Sequence, residues 1–148
     1  MTCSSGKTSV KELIGNLLNN YGKTYYSPRS FNNSYGVPLS LCNLQQDHEY
    51  GVFEIGMSKK GEINTLSKLV KPNIAIITNI AEAHIENFKN LRGIADAKGE
   101  LINHIEKKGT IILNRDDKYF FYLAKKAKLK NLKIISFGIN KNSDVYPL

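Results

Sequence analysis

Four short apolar runs, at residues 50–55, 74–78, 110–113 and 133–137, are rich in β-branched residues and bounded by polar or glycine-containing stretches. Runs of that length and composition read as strands buried on both faces. Between and before them, apolar residues recur at helical spacing over 8–20, 37–45, 61–70, 91–105 and 119–128, with Pro72 and Gly109 placed as stops. Strand and helix in alternation, with the strands apolar throughout, predict an α/β fold: a mostly parallel sheet flanked by helices. No internal repeat or low-complexity tract interrupts the pattern, and no strand is predicted ahead of the first helix.

At 148 residues with 41% hydrophobic content, the chain suits one globular domain or a piece of one. No apolar run approaches the roughly 20 residues that cross a bilayer, and the N-terminus lacks the layout of a secretory signal, so no membrane partner and a cytoplasmic location are expected. Cys3 and Cys42 lie far apart without metal-ligand neighbours and are expected to be reduced thiols. The net charge of +8 raises the question of an anionic partner. The lysines are scattered, however. Their densest group, Lys125, Lys126, Lys128, Lys130 and Lys133, lacks interleaved aromatics, which speaks for a solvated helix face rather than a nucleic-acid surface.

Chemistry enters at the start of the chain. Ser5, Gly6, Lys7 and Thr8 sit where the first helix begins, so free backbone N–H groups and the positive end of the helix dipole would face a phosphate. In such a loop the lysine reaches the β and γ phosphates and the hydroxyl ligates Mg²⁺. The motif is incomplete, because Met1 stands where the full pattern has its first glycine. Ligands of parallel sheets gather at the carboxyl ends of strands. There the sequence places Glu54 and Gly56, then Thr78, Asn79 and His84, then Asn114, Asp116 and Asp117. A carboxylate and an imidazole beside a phosphate loop make a reasonable Mg²⁺–nucleotide site.

Five strings occur in order: Phe31-Asn32-Asn33 leading to Gly36-Val37-Pro38, Glu54-Ile55-Gly56-Met57, Thr78-Asn79-Ile80 with Ala83-His84, Ala97-Lys98-Gly99-Glu100, and Leu113-Asn114-Arg115-Asp116-Asp117. Together they resemble the P-loop-type central ATPase domain of the Mur ligases, over nearly the whole chain. The first and fourth are most similar to the branch that joins D-Ala-D-Ala to a UDP-N-acetylmuramoyl tripeptide. The resemblance implies ATP-dependent amide ligation in peptidoglycan precursor synthesis, with phosphorylation of the tripeptide carboxylate and attack of the dipeptide amine on the acyl phosphate. It further implies that Ser4, Ser5, Gly6 and Lys7 bind ATP phosphates, that Thr8 and Glu54 hold one Mg²⁺, and that His84 ligates a second. Lys98 matches a family lysine that is carbamylated to support that metal. Asn114 and Asp116 would lie near the nucleotide, and Asn32 and Asn33 toward the UDP-sugar peptide.

Each role has a plainer rival. His84 suits a surface position, Lys98 a solvated helix face, and Asn114 and Asp116 an ordinary turn. Glu54 interrupts an apolar strand, where an unpartnered carboxylate is costly, so a metal is its expected partner. Cys3 replaces a glycine of the family loop, and its β-carbon is expected to crowd the phosphates. The family's UDP-binding and amino-substrate domains have no counterpart in the 148 residues, so the chain is expected to be part of the central domain, with an exposed sheet edge open to association. Three alternatives stand beside active ligation: a catalytically incompetent ATP-binding fragment, a ligase resembling folylpolyglutamate synthase, and a basic interaction module.

Overall fold

The computed structural model describes residues 1–82 and 85–147. Seven elements bear on the predicted site directly: α1 (Lys7–Leu18), β1 (Thr24–Tyr26), α2 (Gly36–Cys42), β2 (Tyr50–Val52), α3 (Glu62–Val70), β3 (Ile74–Ile77) and α4 (Leu91–Gly99). β4 (Thr110–Asn114), α5 (Phe120–Leu129) and β5 (Lys133–Phe137) follow, with 3₁₀ helices at Ile85–Asn87 and Glu100–His104 on either side of α4. Every strand pairing is parallel, in the orders β1-β2 and β3-β4-β5. The predicted α/β class and all four predicted strands are present.

Two expectations fail, and both failures concern the site. Residues 1–3 are not a bare loop start. The Met1 nitrogen donates to Phe53 O at 2.6 Å and Met1 O accepts from Ile55 N at 2.9 Å, while on the other side Thr2 N donates to Ile76 O at 2.9 Å. Thr2 also forms a parallel bridge with Ile77. The segment therefore works as a short strand that joins the two sheets, and it delivers the chain into the phosphate loop. The predicted strand at 50–55 is divided accordingly: Tyr50–Val52 pairs with β1, and the stretch beyond it bonds to Met1. The second failure is β1 itself, three residues that carry no period a sequence can show.

Helix ends follow local chemistry. α3 stops where Lys71 adopts the left-handed region at φ 45°, just before Pro72 bars continuation. α4 begins at Asn90, whose side chain accepts from Gly93 N at 3.0 Å, and it tightens into a 3₁₀ helix at Glu100–His104. α1 lies so close to β1 that a β-carbon at Gly15 would come within 2.5 Å of the Tyr26 ring. That contact fixes the helix whose amino end forms the loop. The core is continuous from Val37 and Ile63 through Ile77, Ile94 and Leu101 to Ile111, Leu113 and Leu123, all buried.

Ile111 sits on the central strand of the three-stranded sheet and is fully buried. Ile111→Ala is expected to lower stability by about 2–5 kcal/mol. Leu129→Ala, at a side chain 77% exposed, is expected to stay within about 0.5 kcal/mol. Urea unfolding of the two variants measures the contrast, and equal losses would overturn the assignment of the core.

Candidate functional site

The loop after the entering strand is held from β3. Asn79 Oδ1 accepts from Ser4 N at 2.7 Å and Ser5 N at 3.3 Å, and Ser4 Oγ exchanges hydrogen bonds with the Ala81 backbone at 2.9 and 2.8 Å. Gly6 then turns the chain at φ 76°, a left-handed conformation that glycine adopts without penalty, and a β-carbon there would meet nothing within 4 Å. Among the described residues no side chain caps α1, and no acidic residue sits in its first turn. An uncapped, unshielded amino end is the helix terminus that takes an anion. Lys7 Nζ lies back across the loop, donating to Cys3 O at 3.1 Å and Ser4 O at 3.4 Å. Cys3 is itself fully buried, so its β-carbon packs into the core.

Within the first turn of α1 the chain meets the second part of the site. Thr8 Oγ1 donates to Glu54 Oε2 at 3.0 Å, and Asn32 Nδ2 donates to Glu54 Oε1 at 2.5 Å. Glu54 is 1% exposed, and two side-chain donors partner it where a metal was the expected partner. Asn32 in turn lies against the Gly56 backbone, where any β-carbon would come within 2.8 Å of its Oδ1, so the glycine in that string is required by close approach. Ser30 Oγ shares a 3.2 Å hydrogen bond with Thr8 Oγ1. Two cis oxygens on an octahedral Mg²⁺ at ~2.1 Å lie about 3 Å apart. The Thr8–Glu54 pair has that separation and fits the ion. Among the described residues no group of three or more His, Cys, Asp or Glu side chains gathers. Such a sparse donor set suits Mg²⁺, which keeps waters and substrate phosphates as its other ligands.

Lys98 overturns its plainer reading. It is 2% exposed rather than solvated, and among the described residues no hydrogen bond or ion pair satisfies its ammonium. Burial pushes its pKa down from 10.5 to about 8, and the nearby Lys7 ammonium adds to the shift. Two residues on, Glu100 accepts from Gly61 N at 2.9 Å and Asn64 N at 3.0 Å and so joins the start of α3 to the end of α4. His84 lies outside the described residues.

Three predicted residues are bound by backbone amides, Asn33 and Asn114 within their own turns and Asp116 across to the exit of β5. Asn33 Oδ1 accepts from Tyr35 N and Gly36 N at 3.1 and 2.9 Å, capping α2. Asn114 Oδ1 accepts from Asp116 N at 2.9 Å, and Asp116 accepts from Ile139 N at 2.6 Å and Asn140 N at 3.4 Å. The turn reading thus holds for the Asn114 side chain, whereas the Asp116 carboxylate ties its strand exit to the chain just past β5. Lys7, Asn32, Asn33, Gly56, Lys59 and Gly61 line one cleft of about 740 Å³, which opens beside the phosphate loop. Sequence reasoning gave no role to Ser30 or to the Asn79 clamp. The position of Asn79 just past β3 was the available signal for the clamp, whereas Ser30 follows an unpredicted strand and had none.

Known proteins share this fold. The model of the Mur ligase middle domain matches residues 1–147. The UDP-N-acetylmuramoyl-tripeptide--D-alanyl-D-alanine ligase of Buchnera aphidicola subsp. Baizongia pistaciae is 42% identical over 146 residues, covering 99% of this chain and 31% of that protein. A crystal structure of MurF from Acinetobacter baumannii superposes with a TM-score of 0.92 at 37% identity, over 98% of this chain and 31% of that one. MurF ligase from Thermotoga maritima in complex with ADP gives 0.85 at 33% identity, over 97% and 33%. The chain spans about a third of the length of the curated relatives it matches.

The Lys98 shift sets a stability profile. The folded pKa lies below the unfolded one, so the charged form is disfavoured in the fold; the penalty is complete below about pH 8 and disappears as pH rises toward 10.5. Lys98→Met in CO₂-free buffer is expected to be more stable than the parent by about 3 kcal/mol at pH 7. That advantage should fade toward pH 10.5. Urea midpoints across this range test it, and a pH-independent difference would count against a strained ammonium.

Proposed function

This chain belongs to the Mur ligase family through its middle domain, and from that premise we propose that it is the nucleotide-handling part of an ATP-dependent ligase that joins D-Ala-D-Ala to a UDP-N-acetylmuramoyl tripeptide. The observation that carries the proposal is the 3.0 Å contact between Thr8 and Glu54, made across 46 residues beside an uncapped helix start. The names of the relatives support this substrate pair over a folylpolyglutamate synthase reaction. Since the chain spans about a third of those relatives, the proposal assigns the sites for the UDP moiety and the dipeptide to sequence outside the 148 residues.

Bound ATP would supply the phosphoryl group that turns the tripeptide carboxylate into an acyl phosphate, leaving ADP; the dipeptide amine then attacks the acyl carbon, the amide bond forms and inorganic phosphate leaves. The chain's own residues do the positioning and the charge neutralisation that such transfers depend on. Gly6 and the first-turn N–H groups of α1 cradle phosphate oxygens, with Ser4 and Ser5 held in place by Asn79. Lys7 exchanges its two loop carbonyls for phosphate oxygens. Thr8 and Glu54 hold the Mg²⁺, and Asn32 keeps the carboxylate oriented from behind. Lys59 and Lys60 give the cleft the positive charge that an anionic peptide carboxylate needs. Asn114 and Asp116 act on the nucleotide side by shaping the strand-exit turn rather than through free side chains.

Lys98 has the properties of a carbamylation site. With a pKa of about 8, about a tenth of it is the neutral, nucleophilic amine at pH 7, against roughly one part in 3000 for an ordinary lysine. The repulsion from Lys7 that disfavours the ammonium becomes attraction once CO₂ converts the amine to an anion. A second metal, with His84 beside it, is the partner proposed for that anion.

Two measurements test the proposal. Lys7→Ala is expected to weaken Mg-ATP binding by about 10- to 100-fold in calorimetry, the loss of a charged hydrogen-bond partner; unchanged affinity would reject the phosphate site. ¹³C-bicarbonate is expected to give a carbamate resonance at neutral pH that Lys98→Met lacks, and a signal that survives the substitution would place the carbamate elsewhere.

A further inference from the structure

Lys11 is fully buried, and nothing in the proposed reaction uses it. It lies one helical turn after Lys7 and three residues after Thr8, so all three share a face of α1. An ammonium has three donors, and here each finds an oxygen: Ser27 O at 2.5 Å, Arg29 O at 2.6 Å and Glu12 Oε1 at 2.7 Å. A buried cation is seldom the most stable choice for filling a core position, since an apolar side chain of similar volume does as well or better. Its return must then be positional. Two of its three bonds go to the backbone of one loop, the stretch 27–32 between β1 and α2.

That loop bears on the metal site. At Arg29 its backbone takes φ 49°, a left-handed conformation that a non-glycine residue keeps only when its surroundings impose it. The Arg29 carbonyl is one of the two that Lys11 grips. The next residue, Ser30, meets Thr8 Oγ1, and Asn32 two further on meets both Glu54 Oε1 and, through its carbonyl, Gly56 N at 2.7 Å. We infer that Lys11 is a positioning residue: a buried post on α1 that locks the 27–32 loop in its strained form and so sets Ser30 and Asn32 against the Thr8–Glu54 pair. The inference rests on the Mg²⁺ site proposed above. It assigns the residue a selective role, because Lys11 orders the oxygens around the ion without touching the phosphates.

The test separates metal from phosphate. Calorimetry of ATP binding, with Mg²⁺ and with EDTA, gives for each variant the factor by which Mg²⁺ strengthens binding. Lys11→Met is expected to lose about tenfold of that factor while its affinity for metal-free ATP stays at the parent value. Lys11→Arg, which retains donors, should recover part of it. Ser30→Ala, at an exposed position, should reproduce the loss even if Lys11→Met does not fold. An unchanged Mg²⁺ factor in Ser30→Ala, or equal losses with and without Mg²⁺ in Lys11→Met, overturns the inference. A parent chain whose ATP binding ignores Mg²⁺ instead defeats the proposed site. Amide exchange then decides on the post itself. Faster exchange at Gly56 and Phe31 in Lys11→Met, with α1 amides unaltered, upholds it, and unaltered exchange at Gly56 and Phe31 removes it.

Discussion

A carboxylate that is 1% exposed governs the architecture around this site. Glu54 stays in the interior only if donors converge on it, because an isolated buried charge is far more costly than any single contact can offset. The donors come from separate parts of the chain, Thr8 from the first turn of α1 and Asn32 from the loop after β1. Satisfying one side chain therefore fixes two segments against the end of a third. The parallel sheet makes the meeting possible, since strand ends that point the same way bring their exit loops to one edge. Residues 1–3 complete the edge by bonding to the chain after β2 on one side and to β3 on the other.

How much of this a sequence discloses depends on whether a residue's role is local. The strands β3, β4 and β5 were readable because burial on both faces demands unbroken apolar runs. The Gly6 turn and the start of α1 were readable because the residues that form them are contiguous. β1 was not: Thr24, Tyr25 and Tyr26 are too few to show a period, and their pairing with β2 is fixed by a contact 26 residues away. The strand character of residues 1–3 was hidden for the same reason, as it rests wholly on hydrogen bonds to distant segments. Asn33, Asn114 and Asp116 show the converse. The same short polar side chains suit ligand contact and turn closure, and the structure spends them on backbone amides within a few residues or on the adjoining strand exit.

Lysine is where composition misleads most. A chain with a net charge of +8 invites the view that its lysines are solvated, and for most of them that view holds. Lys11 and Lys98 are both buried, and they resolve the same cost in opposite ways. Lys11 is surrounded by three oxygens, which compensate its charge in place. Lys98 has no such shell among the described residues and faces another ammonium, so its proton is loosened instead. The first arrangement yields a rigid anchor and the second a reactive amine. Helical periodicity cannot separate them, because Lys11 and Lys98 each occupy an ordinary polar position of an amphipathic pattern.

The two lysines also divide the labour of the site in a way that follows from their surroundings. A reactive group must be free to change its charge, and it needs an environment that disfavours its resting form; Lys98 has that through burial and through Lys7. A group that holds geometry needs its donors matched instead, and Lys11 has an oxygen for each of its three. Lys11 and Thr8 stand three residues apart on α1, so the helix itself links the 27–32 loop, which Lys11 holds, to the Thr8–Glu54 pair. Side-chain chemistry at this site is thus set less by residue type than by how many donors and acceptors the fold leaves unmatched around it.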